Sequence, residues 1–153
     1  MTGGAEPVRH ILCGVDGSEP ACRAIEVAAC LARNLDAKLT LISIAKAMDM
    51  TPELRDYPKS EGLGFEQVPL LPTDAQACLD GAAQNAESCG LANAGQIVRT
   101  GDRLEQLQAT IGTEDVDLVV LGHHARSSAH RLVSKPLSQQ IADTIPVKLL
   151  LVP

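Results

Sequence analysis

Residues 8–44 read VRHILCGVDGSEPACRAIEVAACLARNLDAKLTLISI. Val8 to Val15 is a short apolar run with the length of a buried strand. It breaks at once into Asp16-Gly17-Ser18, and Ser18 is a natural helix N-cap. Glu19 and Pro20 fall in the first turn, where an acid and a proline are both tolerated. Apolar residues then recur at Ala21, Ile25, Ala28, Ala32 and Leu35, the spacing of one helix face. Leu39 to Ile44 (LTLISI) reads as a second strand. Strand, helix, strand in that order implies a right-handed βαβ unit with parallel strands.

Downstream the rhythm first breaks and then resumes. Residues 46–72 hold Pro52, Pro58, Pro69 and Pro72 with Gly62 and Gly64, and predict a long irregular connection over the carboxyl end of the second strand. Thr73 is expected to cap a helix through Cys89, with Ala75, Cys78, Leu79, Ala82, Ala83 and Ala86 on its apolar side. Gly81 weakens that helix by roughly 1 kcal/mol relative to alanine. Gln96 to Arg99 is a brief third strand, and Thr100-Gly101-Asp102 turns into a helix bearing Leu104, Leu107 and Ile111. Val116 to Leu121 (VDLVVL) is nearly all apolar, as a central parallel strand should be. A basic loop from Gly122 to Ser134, a short helix from Leu137 to Thr144 and a final strand from Val147 to Val152 complete the chain. Pro146 marks the last junction, since the residue before proline resists helix. This alternation predicts an α/β fold, a three-layer doubly wound five-stranded parallel sheet, in one domain over 1–153.

The bulk numbers narrow the function classes. A chain of 153 residues, 45% hydrophobic and 21% charged, buries a core without disulfides or metal and is not disordered. Trp is absent and Phe and Tyr occur once each, which speaks against stacking on single-stranded nucleic acid. Net charge is −6, unevenly spread: residues 1–121 carry 9 Lys/Arg against 18 Asp/Glu. Residues 122–153 carry Arg126, Arg131, Lys135 and Lys148 against Asp143 alone. An acidic body with one basic segment favours a small anionic ligand there over a polyanion such as DNA. The five cysteines (Cys13, Cys22, Cys30, Cys78, Cys89) have no metal spacing and read as small buried hydrophobes in a reducing compartment. No signal-type segment and no apolar run of membrane-spanning length is present, so a cytoplasmic protein without membrane contact is expected.

Ligands of open parallel sheets bind outside the carboxyl ends of the strands, where strand order reverses. Two loops emerge there. In the first, Asp16 sits at a strand end beside a helix N-terminus, a place that suits helix capping and equally a ligand or metal-water contact. The second runs G-H-H-A-R-S-S-A-H-R-L-V-S-K-P-L-S from Gly122 and concentrates His123, His124, Arg126, His130, Arg131 and Lys135 without an acid. A helix follows whose first N–H groups suit an anion. Adjacent histidines point apart and no carboxylate follows at ligand spacing, so no metal site is expected.

The opening strand with D-G-S, the strand LTLISI, the T-G-D turn, D-L-V-V-L-G and the closing I-P-V-K-L-L-L-V together resemble the universal stress proteins. The likeness runs from Val8 to Pro153 with 46–72 variable, and with the βαβ rhythm it implies strand order 3-2-1-4-5. It implies nucleotide-binding positions at Gly14, Val15, Asp16, Ile44, Leu121 and Gly122, with Asp16, Ile44 and Gly122 toward ribose and adenine. Further positions follow at His124, Ala125, Lys135, Pro136, Leu137 and Ser138. In nucleotide-binding members a Gly-x-x-Gly is followed, nine residues on, by Gly-Ser or Gly-Thr. That frame falls here on Gly122 and Ala125, then Lys135-Pro136. Ala125 resists φ > 0 and close approach of phosphate, and Pro136 lacks both a hydroxyl and an N–H. The resemblance therefore implies a non-catalytic stress-response regulatory or adaptor protein with weak, altered or absent adenine-nucleotide (ATP) binding. It also implies a homodimer through the last strand and a protein partner not identifiable from the sequence. The alternative is a true ATP or cyclic AMP module in which Lys135 and the basic loop replace the glycines. A phosphoacceptor receiver fits less well: strand one ends in a single acid, and Lys135-Pro136 precede the last strand.

Overall fold

The computed structural model describes residues 4–45, 72–123 and 137–153, the side chains of 72–73 and 137–138 aside. The elements are β1 (His10–Gly14), α1 (Glu19–Leu35), β2 (Lys38–Ala45), α2 (Pro72–Ser88), β3 (Gly95–Thr100), α3 (Arg103–Thr113), β4 (Leu118–Gly122), α4 (Leu137–Thr144) and β5 (Lys148–Val152). The strands form one sheet in the order β3-β2-β1-β4-β5, with every neighbouring pair parallel. This is the architecture and the order that the rhythm and the resemblance imply. The connection expected over 46–72 lies, up to residue 71, outside the described residues.

Helices cover the sheet on both faces. On one, α1 and α2 pack Ala24, Ala28, Ala32 and Leu79 against Ile11, Cys13 and Leu41. The alanines of α1 are at most 3% exposed, so the small side chains of its packed face let it lie close on the strands. On the other, Leu107 and Ile111 of α3 and Ile141 of α4 meet Leu12, Ile42 and Val119. Leu118–Leu121 are buried, as the sequence of β4 leads one to expect of a central strand.

Several boundaries move, each for a visible reason. Helix α2 begins at Pro72, so Thr73 is not its cap; proline's fixed φ suits the first helical position. Strand β4 begins at Leu118 and not at Val116, because Asp117 turns aside to hold the start of β1. Its Oδ2 accepts from the Arg9 N–H at 2.8 Å and the His10 N–H at 2.9 Å, and its own N–H donates to the His10 carbonyl at 2.9 Å. Beside it the buried His10 ring sits 2.7 Å from the Glu114 carbonyl through Nδ1 and 2.7 Å from Thr40 Oγ1 through Nε2. A carbonyl only accepts, so Nδ1 carries a proton; in the neutral ring Nε2 accepts from the threonine hydroxyl, and in the charged ring it donates to that oxygen. The amino ends of β1, β2 and β4 are thereby tied together.

The Asp117 carboxyl is held below its ordinary value of 3.8, chiefly by the Arg9 N–H bond, with the His10 N–H and the charges of Lys148 and His10 adding and desolvation opposing. A group depressed in the folded state stabilises above its unfolded pKa, and that contribution disappears as pH falls through the folded value. Asp117→Asn should therefore cost about 1–2 kcal/mol at neutral pH, the scale of hydrogen bonds to a partly exposed charge. Urea titrations at neutral and acid pH should show the gap closing as pH falls below the ordinary carboxyl value of 3.8 and through the depressed folded one. An equal gap at both pH values would remove the charge from the explanation.

The cysteines correct their expectation. Only Cys13 is buried; Cys22 and Cys30 are exposed, and Cys78 and Cys89 are half-buried. Cys22 and Cys30 each follow a buried alanine of α1, one step of about 100° round the helix and off its packed face. Burial pushes the Cys13 thiol up to about 12, which leaves almost no thiolate at pH 8. A thiol reagent under native conditions should modify Cys22 and Cys30 fast and Cys13 only on unfolding, as read by peptide mass mapping. Early labelling of Cys13 would contradict the packing of β1.

Candidate functional site

Strand order reverses between β1 and β4, so their carboxyl ends flank the crevice where ligands of such sheets bind. The register pairs Cys13 with Val120, which brings Gly14–Asp16 level with Leu121 and Gly122. Ile44, half-buried near the end of β2, lies one strand further out. Six of the expected positions are thus brought together. Of the others, His124, Ala125, Lys135 and Pro136 lie outside the described residues, and Leu137 and Ser138 open α4.

The loop after β1 is built around its carboxylate. The Val15 N–H donates to the Ile42 carbonyl at 2.8 Å and keeps the chain on the sheet for one more residue. Gly17, at φ 79°, then makes a turn that a side chain would resist. Asp16 Oδ1 accepts from the Ser18 N–H at 2.9 Å and from the Ser18 hydroxyl. Ser18 Oγ in turn accepts from the Ala21 N–H at 3.3 Å as the N-cap of α1. Asp16 is exposed and is not itself the cap; it orients the residue that is. Asp16 thus serves the helix start through Ser18, and it stands exposed at the mouth of the crevice.

Glycine has a different reason at each strand end. A Cβ on Gly14 would meet Leu121 Cδ2 at 2.6 Å, the tip of a flexible side chain. A Cβ on Gly122 would stand 2.5 Å from the Pro20 carbonyl carbon and 2.6 Å from the Ala21 nitrogen, both backbone atoms. Beyond Gly122 the His123 N–H donates to the Val152 carbonyl at 2.7 Å, and His123 is exposed. The T-G-D turn closes the same end of the sheet: the Gly101 N–H donates to Ala45 at 2.9 Å, and Asp102 caps α3 through the Glu105 N–H at 3.0 Å. Among the described residues no group of three His, Cys, Asp or Glu side chains is placed to hold a metal. No helix among them is long and apolar enough to cross a membrane.

Ser18 is the N-cap that the sequence predicts, whereas its bonds to Asp16 and the contact of Gly122 with α1 are not read from the sequence. The first had a signal, a serine two residues after an aspartate at a helix start. The second had none, because it joins residues about a hundred positions apart in the chain.

The profile of the universal stress protein family matches residues 7–153. The chain is 30% identical over 146 residues to a universal stress protein A homolog of Haemophilus influenzae, covering 95% of this chain and 96% of the relative. Among solved structures, a universal stress protein in complex with cAMP superposes with a TM-score of 0.72 at 22% identity, covering 96% of this chain and 98% of the other. A universal stress protein from Lactobacillus plantarum gives 0.72 at 19% identity, covering 97% and 100%. At these identities the structural likeness speaks for the fold.

Proposed function

This chain belongs to the universal stress protein family, and within it we propose a non-catalytic regulatory or adaptor module whose adenine-nucleotide site is weakened at its phosphate end. One observation carries the reading: the phosphate frame holds Ala125, Lys135 and Pro136 where nucleotide-binding members have two glycines and a hydroxyl. Beside it, the positions for base and ribose sit together at the strand ends, with Asp16 oriented by Ser18. Base and sugar then have partners while the phosphates lose backbone donors and close approach.

A second reading has its own support. The segment 122–153 carries four Lys/Arg against one acid, so Lys135 and Arg126 could hold an adenylate by charge in place of backbone. The relative solved with cAMP makes a cyclic adenylate the first ligand to try. Mass spectrometry of small molecules released from protein purified without added nucleotide separates the two. A clean spectrum supports the adaptor; a stoichiometric adenylate overturns it in favour of the binding module.

The adaptor reading includes a homodimer through β5. That strand lies at the sheet edge, with Leu149 half-buried and Leu151 37% exposed on one face. An open apolar edge of this kind invites a second strand. A monomer by light scattering at micromolar concentration would remove the dimer.

A further inference from the structure

We propose that Gly122 is a positioning residue of this site, which lets the first turn of α1 seat against the end of β4 and so fixes the direction of the Asp16 carboxylate without touching it. The contact is between backbones. A Cβ at 122 would lie 2.5 Å from the Pro20 carbonyl carbon, 2.6 Å from the Ala21 nitrogen and 2.8 Å from the Pro20 oxygen. No side-chain rotation relieves it. Proline's ring also fixes φ at residue 20, so the turn cannot pivot there.

The atoms pressed against Gly122 belong to the capping relay. The Ala21 N–H donates to Ser18 Oγ at 3.3 Å, the Cys22 N–H donates to the Ser18 carbonyl at 3.0 Å, and the Ser18 hydroxyl donates to Asp16 Oδ1. Moving the first turn outward takes the Ala21 N–H from Ser18, and with it the partner that aims the hydroxyl at Asp16. A residue of β4 thereby sets a carboxylate that follows β1, and the two walls of the crevice move as one. Gly122 is demanded by packing even in a chain that binds no phosphate. The proposal rests on the nucleotide-site reading for its functional weight, while the contact itself needs no ligand.

Amide hydrogen exchange on ligand-free Gly122→Ala tests it. Exchange at Ala21 and Cys22 should accelerate about fivefold to tenfold beyond any change at Val119 and Val120, the scale of one lost cap. Uniform acceleration across these amides, or none, overturns the proposal. If Gly122→Ala yields too little folded protein, the double variant Gly122→Ala with Pro20→Gly decides, because glycine frees the fixed φ. Recovery of folded protein in the double variant supports the coupling, and no recovery overturns it. A chain that releases no nucleotide leaves these outcomes untouched, so the two readings fail separately.

Discussion

ATP affinity should rise by about a hundredfold or more when Ala125→Gly, Lys135→Gly and Pro136→Ser are introduced together. Each charge-assisted hydrogen bond to phosphate is worth about 1.5–3 kcal/mol. The wild-type frame lacks at least two: the N–H that proline does not have, and the hydroxyl it replaces. Lys135 works against this expectation, since an ammonium restores part of the attraction. Its charge is screened within about 8 Å at physiological ionic strength, and holding a flexible stem in place costs entropy. Backbone donors at fixed positions carry neither cost, so geometry should win. Calorimetry on the wild type and the triple variant reads the difference. Tight binding by the wild type, unchanged in the variant, would mean that this loop is not the phosphate site. Tight wild-type binding that weakens in the variant would make Lys135 the phosphate ligand.

The parts of the fold legible in the sequence are those where local pattern and burial coincide. The Asp16–Ser18 break, the four-residue recurrence of alanine and isoleucine through α1, and the apolar run of β4 each announce their element, because parallel strands are buried on both faces. The misread details are tertiary in origin. Asp117 looks like part of a strand in VDLVVL, yet its carboxylate finds two N–H donors at the start of β1, and β4 begins at Leu118, two residues later than the pattern suggests. Cys22 and Cys30 sit in an apolar-rich stretch but fall off the packed side of the helix. At the site, resemblance supplied positions and geometry supplied reasons. The resemblance places Gly122 toward ribose and adenine, and the structure adds that an α-helix backbone fills the space a Cβ there would need. Sequence carries no sign of such a contact, since nothing near position 122 says that Pro20 lies against it.

Ile141→Ala should cost about 2–5 kcal/mol, whereas Ile141→Val should cost only about 0.5–1.5. Helix α4 has 8 residues, too few to persist alone in water, where about 12–15 are marginal. Its place therefore depends on side-chain burial. Within 139–144 Ile141 alone is buried, at 0% exposure, in the cluster that holds Leu12 and Val119. The Ile145 N–H donates to the Ile141 carbonyl at 2.9 Å, so the same residue anchors the end of the helix. Truncation to alanine removes three carbons from a packed interior and leaves a cavity over the two central strands. The effect should reach the site as well, because α4 begins with Leu137 and Ser138, directly after the phosphate frame. In the triple-variant background, Ile141→Ala should lower ATP affinity even where the protein is still fully folded, while Ile141→Val should leave it nearly intact. Urea denaturation gives the stability difference and calorimetry the affinity. A loss under about 1 kcal/mol for the alanine variant, below the range for a well-packed site, would mean that α4 is held elsewhere. Unchanged affinity despite a large stability loss would instead uncouple the helix from the phosphate loop.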